Sequence, residues 1–97
     1  MFHVYILRSD SIGRFYIGST EDLERRLAEH NANLAPATKN RGPWRLVYDE
    51  VHLTRSAAMR RERYFKTGRG REDLQRLLAG KAVSPIGRGR RGDTLNQ

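Results

Sequence analysis

The sequence predicts an α+β domain, in which helices flank a small, mainly antiparallel sheet of three strands in the order β-β-α-β-α-α. Two short runs of apolar, β-branched and aromatic residues lie on either side of a turn-forming segment, as in a β-hairpin. Amphipathic helical patterns follow that hairpin and a third apolar run. A length of 97 residues indicates one small domain and excludes a dinucleotide-binding half joined to a separate catalytic half.

The hairpin is predicted to lie at the start of the chain. Strands over 2–7 and 15–18 are joined by a loop whose aspartate, serine and glycine residues favour a turn. A register that pairs Tyr5 with Tyr16 brings both phenols to one face of the sheet. The other face would then present five apolar side chains to a core, namely Phe2, Val4, Ile6, Phe15 and Ile17.

A helix is predicted directly after the hairpin, over residues 20–31. Leu23 and Leu27 are spaced i, i+4, which places both on its buried face. The hydroxyl of Ser19 or Thr20 is expected to accept the free backbone N–H groups at the start of this helix.

The second half of the chain is predicted to form one strand and two helices. A polar loop over 33–43 precedes a strand over 44–53. Thr54 or Ser56 caps a helix that continues to about residue 66, and a shorter helix follows over 71–78 after a break at 67–70. The expected apolar positions are Trp44, Leu46 and Tyr48 on one face of the strand, and Leu74, Leu77 and Leu78 in the last helix.

We therefore expect a folded domain over 1–79 and a basic tail over 80–97. The tail is rich in glycine and arginine and has few apolar residues, which predicts disorder.

Charge and the missing cysteines narrow the function. The formal net charge is +8, and seven basic residues against one acid lie within 55–71, whereas residues 1–54 are neutral. Such a concentration favours a polyanionic partner, most often a nucleic acid. The absence of cysteine excludes thiol catalysis and cysteine-ligated metal sites. No apolar run is long enough to cross a bilayer, and the absence of cysteine fits a reducing cytoplasm. We expect a cytoplasmic protein that is a monomer, with a weak dimer as the alternative.

A small set of polar side chains is spaced for phosphate chemistry. Arg26 and His30 are neighbours on one helical face, and a planar guanidinium suits a phosphate. Glu62 is the one acid within its basic segment. Magnesium is often bound by only one or two carboxylates together with a substrate phosphate, although simple ion pairing of Glu62 explains the same pattern.

These residues occur in an order that resembles the GIY-YIG nuclease family. The resemblance covers nearly the whole expected domain, and its specific parts are the segments YIGSTEDLERRLAEHN, GPWRLVYDE and RRERYFK. Within that family the chain is similar to the small stand-alone bacterial group related to the N-terminal nuclease domain of the excision-repair subunit.

The resemblance implies a metal-dependent endonuclease that hydrolyses DNA phosphodiester bonds and prefers single-stranded or structured DNA. It implies that one Mg²⁺ or Mn²⁺ binds Glu62 and that Arg26 stabilises phosphate charge. It further implies that Tyr5 or Tyr16 activates water, directly or through His30, and the choice between the tyrosines stays open. Five basic side chains are candidate contacts to the DNA: Lys39, Arg41, Arg60, Arg63 and Lys66.

Three departures from the family pattern qualify these roles. The first motif, His3-Val4-Tyr5, lacks its glycine. Ser19 stands where some relatives have lysine, and the late asparagine near the metal of several relatives has no counterpart before Asn96. A non-catalytic nucleic-acid-binding module and a protein-interaction domain that uses Trp44 are the alternative functions.

Overall fold

A computed structural model describes residues 1–83 of the chain. Its three strands form one sheet in the order β2-β1-β3, and both neighbouring pairs are antiparallel. The predicted α+β class and order of elements are confirmed. The elements are β1 (Phe2–Ser9), β2 (Phe15–Thr20), α1 (Leu23–Asn31), a 3₁₀ turn (Pro36–Thr38), β3 (Trp44–His52), α2 (Arg55–Phe65) and α3 (Gly68–Val83).

The chain divides into two compact units. The first, residues 1–64, contains the sheet, α1 and most of α2, and the second begins at Phe65. In the second unit, the side chains of Phe65 and Leu74 are buried. In the part of the chain that the structure describes, no helix is long and apolar enough to cross a membrane.

The hairpin register differs from the prediction by two residues. Tyr5 lies opposite Gly18, and Leu7 lies opposite Tyr16, so the predicted pairing of Tyr5 with Tyr16 is wrong. The reason is a tighter turn than expected, because β1 continues to Ser9 before the chain reverses. A shift of two residues preserves the faces of a sheet, and the two tyrosines therefore still share one face.

Both faces of the sheet are covered, because four consecutive residues of the central strand β1, from Val4 to Leu7, are buried. On the tyrosine face a cluster of Tyr5, Leu7 and Trp44 packs with the leucines of α1. The predicted core position of Phe15 is wrong, since its side chain is 49% exposed beside the turn.

A bulge in β3 contradicts the prediction that Trp44, Leu46 and Tyr48 share one face of the strand. Leu46 pairs with Leu7, but the next pair along the strands is Tyr48 with Ile6, which leaves Val47 as an extra residue. An inserted residue reverses the alternation of side chains. Tyr48 therefore lies on the face opposite to Trp44 and Leu46.

The helix ends also differ from the predictions. Because β2 continues to Thr20, the N-cap of α1 is Asp22, whose carboxylate accepts a hydrogen bond from the backbone N–H of Arg25 at 3.1 Å. Thr54 caps α2 as predicted, with its hydroxyl accepting from the N–H of Ala57 at 3.1 Å.

The last helix is longer than predicted at both ends. It begins at Gly68 rather than residue 71 and ends at Val83, so the predicted break at 67–70 is too long. The predicted boundary between residues 79 and 80 falls within this helix. The rest of the predicted disordered tail, residues 84–97, lies outside the described residues.

Candidate functional site

A chain of buried hydrogen bonds joins three elements of the first unit. The hydroxyl of Tyr5 on β1 lies 2.8 Å from Nε2 of His30 on α1, and Nδ1 of His30 lies 2.7 Å from Oγ1 of Thr38. The Thr38 hydroxyl also lies 3.4 Å from the carbonyl of Ala35. We assign the His30 tautomer in which Nδ1–H donates to Thr38, because Thr38 can then donate its one hydrogen to that carbonyl. Nε2 is then the acceptor, and Tyr5 donates to it.

Burial sets the protonation of this pair. Desolvation raises the pKa of Tyr5 to about 12, and the neighbouring Tyr16 adds to that rise, while the Arg26 guanidinium opposes it. Desolvation also lowers the pKa of His30, and the positive charge of Arg26 acts in the same direction. Tyr5 is therefore a neutral phenol and His30 a neutral imidazole near pH 7.

Tyr16 lies beside this pair and is half-buried. Its ring centroid is 6.2 Å from that of Tyr5, 4.8 Å from that of His30 and 6.5 Å from that of Trp44. The sequence pattern placed Tyr5, Tyr16 and His30 among the candidate site residues, and the structure brings all three together.

Gly18 permits this close arrangement. A Cβ atom at this position would lie 2.6 Å from the hydroxyl oxygen and 2.8 Å from Cζ of Tyr5, and 3.0 Å from Cε2 of Tyr16. The two distances to Tyr5 are shorter than real Cβ contacts, so only glycine allows the Tyr5 phenol to occupy this position.

Arg26 lies next to the buried pair, on the same helix as His30. Its NH1 donates to Oε1 of Glu29 at 2.8 Å, and Nε of Arg25 donates to Oε2 of the same carboxylate at 3.2 Å. The bond to Glu29 raises the pKa of Arg26, so the guanidinium is permanently charged. Sequence reasoning missed Glu29, although its i, i+3 spacing from Arg26 is a recognised signal for such a pair.

A surface cleft of about 500 Å³ opens at the end of β2. It is lined by the last residues of β2, the first turns of α1 and the start of α2. Three arginines, Arg25, Arg26 and Arg55, line this cleft together with three acids, Glu21, Asp22 and Glu29. The arginines are paired with Glu29 and Glu21, so a phosphate would bind by sharing or displacing these ion pairs.

Glu62 is connected to this cleft through Ser19, which lines it. The Ser19 hydroxyl donates to Oε1 of Glu62 at 2.8 Å, and the Glu62 charge acts on the Tyr5 phenol by raising its pKa. Residues 1–83 contain no group of three or more histidine, aspartate or glutamate side chains arranged to hold a metal. One half-buried carboxylate fits Mg²⁺, which keeps several waters and takes a substrate phosphate as a further ligand.

The five candidate DNA contacts are all exposed: Lys39, Arg41, Arg60, Arg63 and Lys66. Arg60 and Arg63 are spaced i, i+3 on α2 and so lie on neighbouring parts of its surface. Arg41 is tied to its own loop, because its NH1 donates to the carbonyl of Ala37 at 3.1 Å. Lys66 belongs to the second unit.

Known proteins match this chain over most of its length. A UPF0213 protein of Halobacterium salinarum is 46% identical over 63 residues, which cover 64% of this chain and 80% of that protein. A UPF0213 protein of Staphylococcus saprophyticus is 35% identical over 79 residues, or 80% of this chain and 95% of that protein.

A solved structure agrees with these relatives. The solution NMR structure of a UPF0213 protein from Bacillus halodurans is 33% identical, with a TM-score of 0.52, and covers 92% of this chain and all of that one. The family model described as the GIY-YIG catalytic domain matches residues 1–75. This chain therefore belongs to the GIY-YIG family, within its small UPF0213 group.

Proposed function

We propose that the chain is an endonuclease that hydrolyses DNA phosphodiester bonds with one Mg²⁺ or Mn²⁺ ion. The observation that carries this proposal is the cleft at the end of β2, where Arg26 and, through Ser19, Glu62 come together. The match to the GIY-YIG catalytic domain supports a nuclease reaction. The contacts of each side chain support a specific role for it in the reaction.

Arg26 binds the scissile phosphate and stabilises the charge that grows on it in the transition state. Its guanidinium is planar and offers several fixed N–H donors, which match phosphate oxygens. Because it is already held by Glu29 in the free protein, little reorganisation is needed when the reaction occurs.

Tyr5 and His30 move the proton of the attacking water. A phenol with a pKa of about 12 is not a phenolate at neutral pH, so Tyr5 cannot serve as a simple base. Instead, the water proton passes to the hydroxyl oxygen of Tyr5 while the Tyr5 proton passes to Nε2 of His30. Hydroxide then forms the new P–O bond as the leaving oxygen departs, and His30 is left as an imidazolium whose Nδ1–H is held by Thr38.

Glu62 holds the divalent cation. When bound, the ion supplies positive charge to the phosphate and to the departing oxygen. Ser19 limits the orientations of the carboxylate, since it occupies one of the two Glu62 oxygens.

The substrate is proposed to be single-stranded or structured DNA. The exposed lysines and arginines would contact phosphates, and such contacts orient a nucleic acid without reading its sequence. We therefore expect the enzyme to select strand structure rather than a base sequence.

A cleavage assay tests the proposal. Purified protein is incubated with labelled single-stranded, duplex and branched DNA and with single-stranded RNA, in Mg²⁺, Mn²⁺ or EDTA. We expect metal-dependent cleavage of DNA that falls about 100-fold or more in Arg26→Ala and Glu62→Gln. The matched control is Arg76→Ala, which removes an exposed arginine that pairs with Asp73 on α3.

Two results would count against the proposal. Cleavage that survives in Glu62→Gln shows that the activity does not belong to this site. Salt-sensitive DNA binding without cleavage in any metal indicates a non-catalytic binding module instead.

A further inference from the structure

On the sheet face away from Tyr5, the carboxylate of Glu50 accepts three hydrogen bonds. The hydroxyl of Tyr48 donates to Oε1 at 2.7 Å, Nε of Arg61 donates to Oε2 at 2.8 Å, and Nε2 of His52 lies 2.7 Å from Oε2. Burial alone would raise the pKa of Glu50, but these donors together lower it. Glu50 is therefore a charged acceptor held in place from its own strand.

Two consecutive residues of α2 bind the sheet on opposite sides of its central strand. Arg61 binds Glu50 on β3, and Glu62 accepts from Ser19 on β2. Glu50 and Ser19 are in turn the two cross-strand partners of a single residue of β1, Val4. Since neighbouring strands lie about 4.8 Å apart, this part of α2 is attached at two points roughly 10 Å apart.

The two attachments have different consequences for Glu62. The Ser19 hydroxyl orients one carboxylate oxygen, but it cannot fix the backbone from which that side chain extends. The Arg61–Glu50 bond fixes the adjacent residue, and so it limits rotation of α2 about its own axis. Without it, the turn of α2 that carries Glu62 loses a contact that holds it against β3.

We propose that Glu50 and Arg61 are a positioning pair that places the Glu62 carboxylate for cation binding. This inference rests on the proposed function of Glu62. The pair is well suited to the task because both side chains are partly buried, at 17% and 34% exposure. Tyr48 and His52 already orient the Glu50 carboxylate, so Arg61 meets an acceptor whose position does not depend on the helix.

The experiment measures Mn²⁺ affinity directly, by electron paramagnetic resonance of free Mn²⁺, on the full chain of Glu50→Gln, Arg61→Met and Arg61→Lys. We expect Glu50→Gln and Arg61→Met to weaken Mn²⁺ binding by about 10-fold or more, as substitutions behind a metal ligand do. Arg61→Lys keeps the charge and is expected to recover part of the affinity. The variant that combines Glu50→Gln with Arg61→Met should bind Mn²⁺ no more weakly than the weaker-binding of the two single variants, because the two side chains act as a unit.

The matched control is Arg45→Met. Arg45 is another arginine of the same sheet, and its ion pair with Asp10 is 59% and 47% exposed and lies at the turn end of the sheet. We expect the Mn²⁺ affinity of the Arg45→Met variant to equal that of the unaltered chain. Steady-state cleavage over a range of DNA concentrations supplies a second measurement, in which the positioning variants lower kcat and leave KM for DNA unchanged.

The outcomes separate the two claims. Metal binding and DNA cleavage by the unaltered chain support the proposed function. If the folded variants Arg61→Met and Glu50→Gln then bind Mn²⁺ as tightly as the unaltered chain, the positioning pair is refuted and the proposed function stands. If a variant fails to fold, an affinity of Arg61→Lys below that of Arg45→Met supports the pair, and an equal affinity refutes it. If the unaltered chain neither binds Mn²⁺ nor cleaves DNA, the proposed function fails and the inference fails with it.

Discussion

The hydroxyl of Tyr5 and Nε2 of His30 form a 2.8 Å hydrogen bond, and the two residues are 1% and 0% exposed to solvent. This bond joins the central strand to the helix that covers it. In the assigned tautomer of His30, the other ring nitrogen donates to Thr38. A buried pair of this kind contributes to stability and is available for proton transfer, and the two roles can be measured separately.

The first prediction concerns the pH dependence of folding. Burial, with the charge of Arg26, lowers the pKa of His30 below its ordinary value of 6.5 in the folded chain. Between the folded pKa and 6.5 the unfolded chain binds more protons, so stability falls as the pH falls below about 6.5. The steepest slope from one such group is about 1.4 kcal/mol per pH unit. Urea unfolding between pH 5 and pH 8 measures it.

Two variants provide the comparison for that experiment. Removing the buried imidazole in His30→Gln should flatten the pH dependence below 6.5 and lower stability at pH 7.5. His3→Gln removes a partly exposed histidine that pairs with Asp49 and should leave the slope caused by His30 in place. A His30→Gln chain that keeps the full slope would show that another group is responsible.

The second prediction concerns Gly18. Alanine at this position brings Cβ to within 2.6 Å of the Tyr5 oxygen, and neither phenol can move far inside a packed cluster. We expect Gly18→Ala to lower the free energy of unfolding by about 1–3 kcal/mol and to reduce cleavage, measured by thermal unfolding and initial rates.

Gly68→Ala is the matched control for Gly18→Ala. Nothing lies within 4 Å of a Cβ atom at Gly68, which is the first residue of α3. Since alanine favours helix by up to about 1 kcal/mol over glycine, this variant should be neutral or more stable. Equal losses in the two variants would mean that the effect at Gly18 is not steric.

Local patterns predicted the elements and the shared face of the two tyrosines, because side-chain alternation survives a register shift of two residues. They did not predict the register itself, which depends on how far β1 continues before the turn. Nor did they predict the bulge at Val47 that reverses Tyr48, since nothing about a valine in an apolar run distinguishes an extra residue from a paired one.

The same limit applies to the candidate site. Helical spacing made Arg26 and His30 neighbours from sequence alone. Thr38, however, reaches His30 only because the loop after α1 folds back in a 3₁₀ turn, and a polar loop carries no periodic signal. Ser19 stands where some relatives have lysine, and its bond to Glu62 joins residues 43 positions apart in the chain, which no local pattern predicts.

The third prediction concerns Glu29, which binds both Arg25 and Arg26. Glu29→Gln keeps the shape of the side chain but removes its charge, so the hold on the Arg26 guanidinium weakens. We expect kcat/KM to fall several-fold, because Arg26 must then be oriented during the reaction rather than before it. Steady-state cleavage rates measure this, and a rise in kcat/KM would instead show that Glu29 competes with the phosphate for Arg26.

The fourth prediction separates the two tyrosines. Tyr5→Phe removes the hydrogen that His30 accepts and leaves Nε2 buried without its donor, which should cost about 1–3 kcal/mol of stability. If Tyr5 passes the proton from water to His30, single-turnover cleavage at saturating metal should also fall by about 10²–10⁴. Tyr16 is half-buried and packs mainly through its ring, so Tyr16→Phe should change both quantities less. The reverse order, with cleavage lost in Tyr16→Phe and kept in a folded Tyr5→Phe, would assign water activation to Tyr16 and leave the Tyr5–His30 bond a purely structural contact.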